Sequence, residues 1–255
     1  NIYIGGGTPT VLPAAELAGL LDLINKELGS SGLRELTVEA GRPDTLNEEK
    51  IDVLQRRGVG RISINPQSMQ QKTLKLIGRM HTVQDIMDMF VKIRRSEIKI
   101  INMDLIVGLP GENEADIRDT MDKVLFLEPD NLTIHTLALK RGSELILRPE
   151  YYSLPPAETT GQMLAIATGR AENNSLAPYY LYRQKYMAGN FENVGYARAG
   201  TECVYNIQIM AERQTIIGIG PGAASKAVDV DTWRLNSCYN PKDARTYINN
   251  IDYYI

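Results

Sequence analysis

The strongest constraint on this fold is a regular exchange, across residues 1–140, of short apolar runs with longer segments of helical periodicity. Ile2–Ile4 and residues 36–39, 61–64, 99–107 and 132–135 carry the first pattern. Between the first two, Leu17, Leu20, Leu21, Ile24 and Leu28 fall on one helical face that stops at Gly29-Ser30-Ser31-Gly32. A second helix, capped by Asp44 or Thr45, is expected through Arg57 to Gly58. A short helix near 73–77, a longer one over 83–95 and another over Glu114–Phe126 complete the series. Strands separated by helices need crossovers, and crossovers are right-handed, so the pattern predicts a parallel α/β sheet wrapped toward a barrel.

Such folds place their chemistry at the carboxyl ends of the strands. That rule selects the loop of residues 5–8, Glu39, Asn65 with Gln67, Asp104 and residues 135–138. The loop is unusual in itself. In N-I-Y-I-G-G-G-T-P-T an apolar strand runs into three glycines, each of which loses more backbone freedom on folding than any other residue. No Lys-Ser or Lys-Thr pair follows at P-loop spacing, and Thr8-Pro9-Thr10 breaks the G-x-G-x-x-G dinucleotide pattern. Two uses remain: a tight turn in which glycine relieves crowding, or a loop presenting backbone N–H groups to an anionic or zwitterionic ligand.

Composition narrows the classes. The 255 residues, 43% apolar, suffice for a sizeable core in one large or two smaller domains. A net charge of −3 with interspersed signs gives no basic face for nucleic acid or a membrane surface. No apolar run spans a bilayer. Cys203 and Cys238 make no disulfide framework, no C-x-x-C and no zinc spacing, which fits a reducing cytoplasm. The chain starts without Met, already inside a strand-like run, so an incomplete N-terminus is expected.

The texture changes near residue 150. Pro155-Pro156 marks a break and Ala157–Asn173 reads as one helix. An aromatic stretch over 178–196 and the Gly-rich I-I-G-I-G-P-G-A-A-S-K follow, then a helical tail from about Lys242. The expected division is a barrel over 1–150 and a smaller mixed subdomain over 151–255.

Several of these stretches carry a resemblance. Y-I-G-G-G-T-P-T, T-V-E-A-G-R-P-D, R-I-S-I-N-P-Q-S-M, I-G-R-M-H-T and I-N-M-D-L-I-V-G-L-P-G together resemble the radical S-adenosylmethionine enzymes of the oxygen-independent coproporphyrinogen III oxidase family. Y-Y-L-Y-R-Q-K-Y-M-A-G-N, E-N-V-G-Y-A and G-I-G-P-G-A-A-S-K are similar to its second, coproporphyrinogen-dehydrogenase-like branch and to its heme-chaperone branch.

The resemblance implies a partial (β/α)6 radical-SAM (TIM-like) barrel lacking its first strand, plus a smaller C-terminal mixed α+β subdomain. It implies that Gly6, Gly7 and Thr8 receive the amino acid end of S-adenosylmethionine. Glu39, Gln67 and Arg79 would make polar contacts, with Arg79 the partner of the carboxylate. Asp104 would accept from ribose hydroxyls, and Ile106 and Ala138 would flank adenine. On the residues alone, Glu39 also suits a buried carboxylate paired with an arginine, Arg79 a helix end, and Asp104 a cap on the turn at 108–110. His81 is expected to bond locally to backbone and His135 to be a satisfied core histidine, neither of them catalytic.

The implied activity is oxidative decarboxylation of coproporphyrinogen III to protoporphyrinogen IX, started by a 5′-deoxyadenosyl radical. Alternatives within the resemblance are a heme chaperone and a radical enzyme with another substrate. Tyr179, Tyr180, Tyr182, Arg183 and Lys185 suit a flat tetracarboxylate, with Lys226 as an addition; they also suit an aromatic core with solvated cations. The family's 4Fe–4S cluster needs C-x-x-x-C-x-x-C thiolates, which this sequence lacks. Those cysteines are expected upstream of residue 1, leaving this chain without a cluster and inactive alone. The expected partners are a porphyrinogen or heme and an unspecified electron donor, without nucleic acid or a membrane span.

Overall fold

A computed structural model describes residues 1–29, 32–139, 143–183 and 188–254. They form two compact units, Asn1–Glu202 and Cys203–Ile255. In the first, strands β1 (Ile2–Ile4), β2 (Leu36–Gly41), β3 (Arg61–Gln67), β4 (Ile100–Val107) and β5 (Asn131–Thr136) pair in sequence order and in parallel. Helices α1 (Ala14–Leu28), α2 (Glu48–Arg56), α3 (Gln71–Leu76), α4 (Val83–Arg94) and α5 (Glu114–Phe126) supply the crossovers. After the short α6 (Glu144–Leu147) and long α7 (Ala157–Asn173), the antiparallel pair β6 (Ala177–Tyr182) and β7 (Asn193–Ala197) extends the sheet. The order β1-β2-β3-β4-β5-β7-β6 makes a curled half-barrel in which parallel pairing dominates.

Strand side chains alternate between two environments. In β4, Ile101, Met103, Leu105 and Val107 are buried against the helical layer, while Asn102, Asp104 and Ile106 point to the other face. Val38, Ile62, Ile64, Leu132 and Ile134 do the same in their strands and meet Leu17, Leu54, Phe90, Ile117 and Met163 from the helices. Truncating one of these side chains to Ala leaves a cavity worth about 2–5 kcal/mol. Parallel register then lines up the opposite, polar face: Glu39 beside Ser63, Ser63 beside Asn102, and Asp104 beside Thr133.

At the amino ends of the strands that face is closed by Arg61. Its guanidinium, almost fully buried, donates to Glu35 Oε2 at 2.9 Å, to the Glu202 carbonyl at 3.0 Å and to Asn131 Oδ1. The carboxyl ends remain as the place for a site.

One expectation changes here. Helix α2 is capped by Asn47, whose side chain accepts from Lys50 N–H, and not by Asp44 or Thr45. Pro43 opens a 3-10 turn that absorbs both residues, and the Thr45 hydroxyl donates to the Ala40 and Arg42 carbonyls instead. The compact units meet in sequence at 202/203, and β7 pairs with β5 within the first of them.

The second unit contains α8 (Val204–Ala211), the hairpin β8 (Ala224–Val228) with β9 (Leu235–Tyr239), α9 (Ala244–Asn249) and α10 (Ile251–Tyr254). Its Gly-rich run is held by Asn240, which donates to the carbonyls of Gly218 and Gly220. Among the described residues no helix is long and apolar enough to cross a membrane.

Candidate functional site

The glycine loop closes over Glu39. The Tyr3 hydroxyl donates to Glu39 Oε1, and the Gly6 backbone N–H donates to the same carboxylate. A Cβ on Gly5 would stand 2.7 Å from Tyr3 Cε1 and 2.8 Å from Glu39 Cδ, so no side chain fits at that position. Gly6 has φ +85°, which glycine adopts without strain. Burial raises the Glu39 pKa, Tyr3 and Gly6 oppose the rise, and the charge of Asp104 adds to it. The coupling to Asp104 places these carboxylates, from β2 and β4, within one electrostatic environment.

From Asp104 a polar ladder runs across the sheet. Asn102 Nδ2 donates to Asp104 Oδ1 and to Ser63 Oγ, each at 2.7 Å, while its Oδ1 accepts from the Thr133 hydroxyl at 3.3 Å. These partners fix which way the amide points. Ser63 in turn donates to Asn65 Oδ1 at 3.0 Å. Across β4 and β5, Ile106 pairs with His135, whose Nε2 lies 3.9 Å from Asp104 Oδ2. His135 Nδ1 meets the Tyr182 hydroxyl at 3.1 Å, and Tyr182 stacks parallel to Tyr180 with ring centroids 6.3 Å apart. Burial pushes the Tyr180 hydroxyl pKa far up. Its ring lies against the backbone of Gly195, where a Cβ would overlap it at 1.7 Å.

Gln67 ends β3 with φ +67° just past an irregularity in the strand pairing, a conformation non-glycine residues adopt mainly where surrounding structure holds them. Its Oε1 is buried and has no hydrogen-bond partner among the described residues. A buried acceptor without a donor is costly, and such atoms mark sites that receive one.

A cationic cluster follows β2 and α3. Burial lowers the Arg79 pKa, and Arg42 lowers it further against the opposing charge of Asp44. His81 is buried beside this pair with Nδ1 3.5 Å from Asp44 Oδ1. Its ring bonds no backbone group, contrary to the sequence expectation; both nitrogens lack a hydrogen-bond partner among the described residues. Burial, then Arg79, pushes its pKa down.

Gly6, Gln67, Ile106 and Ala138 sit at or near the carboxyl ends of β1, β3, β4 and β5, Glu39 and Asp104 lie inside β2 and β4, two and three residues before their ends, and Gly7 and Thr8 continue the loop. Arg79 stands with Arg42 and Asp44 instead. Tyr182 joins the ladder through His135, whereas Arg183 is engaged in an exposed ion pair with Glu192 at 3.0 Å. Lys226 pairs with Glu212 in the second unit, and Lys185 lies outside the described residues. His135 lines the polar face rather than the core. Beyond the residues expected from sequence, this face also holds Tyr3, and Ser63, Asn102 and Thr133 from β3, β4 and β5. Their signal was present as polar residues at every second position of otherwise apolar strands: S-I-N-P-Q, N-M-D and T-I-H.

The fold defines a class: a curled, mainly parallel half-barrel with acids, amides and a glycine loop on one face of its sheet. Comparison with known proteins is more specific. Residues 1–124 match the Radical SAM superfamily. The chain is 46% identical, over its whole length and 51% of the relative, to the Bacillus subtilis oxygen-independent coproporphyrinogen-III oxidase-like protein HemZ. It is 31% identical to the Bacillus subtilis heme chaperone HemW over 88% of this chain and 56% of that protein. Its fold matches Escherichia coli coproporphyrinogen III oxidase (HemN), described as a radical SAM enzyme, with TM-score 0.75 and 19% identity, over 98% of this chain and 56% of that one. The chain belongs to the radical SAM superfamily, among its oxygen-independent coproporphyrinogen-III-oxidase-like members. It spans about half the length of the curated relatives it matches.

Proposed function

We propose that this chain carries the S-adenosylmethionine site of a cytoplasmic radical enzyme that oxidatively decarboxylates coproporphyrinogen III to protoporphyrinogen IX. The observation that carries the reading is the enclosure of Glu39 by Tyr3 and the glycine loop, beside Asp104. Gly6 and Gly7 are exposed backbone at a strand end, suited to the carboxylate and ammonium of an amino acid. The unpartnered Gln67 Oε1 suits a donor such as that ammonium, and Arg79 supplies positive charge for the carboxylate. Asp104 offers Oδ2 to a ribose hydroxyl while Asn102 holds Oδ1, and Ile106 with Ala138 gives adenine apolar walls.

Bound together with an iron–sulfur cluster, S-adenosylmethionine supplies hydrogen abstraction. The residues of this chain do not fit that cluster. Its two cysteines, Cys203 and Cys238, lie in the second unit and are 35 positions apart, far from the C-x-x-x-C-x-x-C spacing that holds such a cluster. The contribution of this chain is to bind and orient the nucleoside. In this reading residues 1–150 hold that pocket, residues 151–255 form the family-specific part, and Tyr182 with Arg183 contributes to binding the macrocycle.

A second reading, heme delivery, is favoured by the 31% identity to a heme chaperone. One experiment separates the two. The full-length protein, reduced anaerobically, is incubated with S-adenosylmethionine and coproporphyrinogen III, and the macrocycle is followed by mass spectrometry. Loss of two carboxyl groups as carbon dioxide supports the decarboxylase. An intact macrocycle together with stoichiometric heme binding overturns it in favour of the chaperone.

A further inference from the structure

His135 and Asp104 are each held from behind, and their remaining polar atoms face one another. Asn102 occupies Asp104 Oδ1 at 2.7 Å, and the Tyr182 hydroxyl occupies His135 Nδ1 at 3.1 Å. This leaves Asp104 Oδ2 and His135 Nε2, 3.9 Å apart. That spacing is too long for a direct hydrogen bond. It suits two bonds to a shared oxygen, because an oxygen about 2.8 Å from each atom sits about 2 Å to the side of the line between them.

The donor and acceptor roles follow along this path. In the tautomer that carries its ring proton on Nε2, the Tyr182 hydroxyl donates to Nδ1 and Nε2 donates outward. A carboxylate oxygen can only accept. In that tautomer the shared group accepts from His135 and donates to Asp104, as an alcohol hydroxyl does. A carbonyl cannot donate, and an ammonium cannot accept. Register agrees, since His135 is the cross-strand partner of Ile106, two residues beyond Asp104 on the same face of β4.

We propose that His135, oriented by Tyr182, is a specificity-determining residue that binds one ribose hydroxyl of the nucleoside jointly with Asp104. The proposal rests on the nucleoside reading of the site given above. It makes the aromatic hairpin strand β6 part of that site, through a histidine that sequence analysis set aside as core.

The test is a ligand-based mutant cycle in the full-length protein, read by calorimetry and requiring no turnover. S-adenosylhomocysteine and its 2′-deoxy and 3′-deoxy forms are titrated into wild type, His135→Phe and Tyr182→Phe. Phe keeps the aromatic volume of position 135 and removes its donor. In wild type, one deoxy form should bind at least tenfold more weakly than the parent ligand. In His135→Phe that ratio should fall about fivefold to tenfold, the usual scale of one hydrogen bond, with affinity for the deoxy form itself unchanged within about twofold. Tyr182→Phe should reproduce part of the loss of discrimination, and it tests the proposal independently if His135→Phe folds poorly. Equal weakening of parent and deoxy ligands would reduce His135 to a packing wall and overturn the inference. So would an unchanged ratio. Failure of wild type to bind S-adenosylhomocysteine at all would instead remove the nucleoside reading.

Discussion

Gly5 and Glu39 are locked together: the space a Cβ on Gly5 would need is taken by the Glu39 carboxyl, 2.8 Å away, and by the Tyr3 ring. The loop is glycine there because the carboxylate is already in place. Gly5→Ala should therefore displace Glu39 and cost about 1–3 kcal/mol by overpacking. Gly7→Ala, whose Cβ meets nothing within 4 Å, should stay within about 0.5 kcal/mol of wild type. Urea unfolding of both variants checks the contrast, and equal costs would contradict it.

A buried carboxyl outside the site gives a pH signature. Glu112, in the loop after β4, accepts from Ser68, and burial raises its pKa above the usual 4.5. The fold favours the protonated form. Its stabilising contribution is complete below 4.5 and is lost as pH rises through the raised value. Glu112→Gln should flatten that fall in unfolding free energy by at most about 1.4 kcal/mol per pH unit, the limit for one proton. Glu39, raised in the same direction, leaves a residual slope. An identical slope in wild type and variant would refute the assignment.

The hairpin makes its own demand. Gly195 allows the Tyr180 ring to cross β7, and Gly195→Ala should push the ring off its stack with Tyr182 at a cost of about 1–3 kcal/mol or more. Near-ultraviolet circular dichroism should lose tyrosine signal along with the drop in stability. Retained signal and stability would show that the ring has another place to go.

Arg61 is the corresponding test at the other end of the sheet. Removing it leaves Glu35, 11% exposed at its side chain, without its guanidinium partner. Arg61→Ala should cost about 3–5 kcal/mol, whereas replacing Arg61 and Glu35 together by apolar residues should cost much less. Chemical denaturation of the single and double variants decides; equal losses would contradict the pairing.

Much of the fold was legible because local signals agreed. Pro155-Pro156 before Ala157–Asn173 set that helix to the residue, and short apolar runs placed all five parallel strands. Within the site, strand ends marked Glu39, Gln67 and Asp104. What was not legible depended on partners distant in sequence. Tyr3 meets Glu39 only because β1 pairs beside β2, and His135 meets Tyr182 only because β6 brings it there across 47 residues. The aromatic stretch concealed two strands, since the tyrosines that make a hairpin face also suit a detached core. His81 shows the opposite case, a residue with ordinary local surroundings in sequence and no local hydrogen bond in the fold.

The most direct test of the account is a crystal structure of the full-length protein with S-adenosylhomocysteine. The account predicts the amino acid end at Gly6, Gly7 and Glu39 with its carboxylate toward Arg79, and a ribose hydroxyl between Asp104 and His135. A nucleoside bound elsewhere, for example in the cavity of about 370 Å³ between His81 and Lys92, with Glu39 and Asp104 untouched, would contradict it.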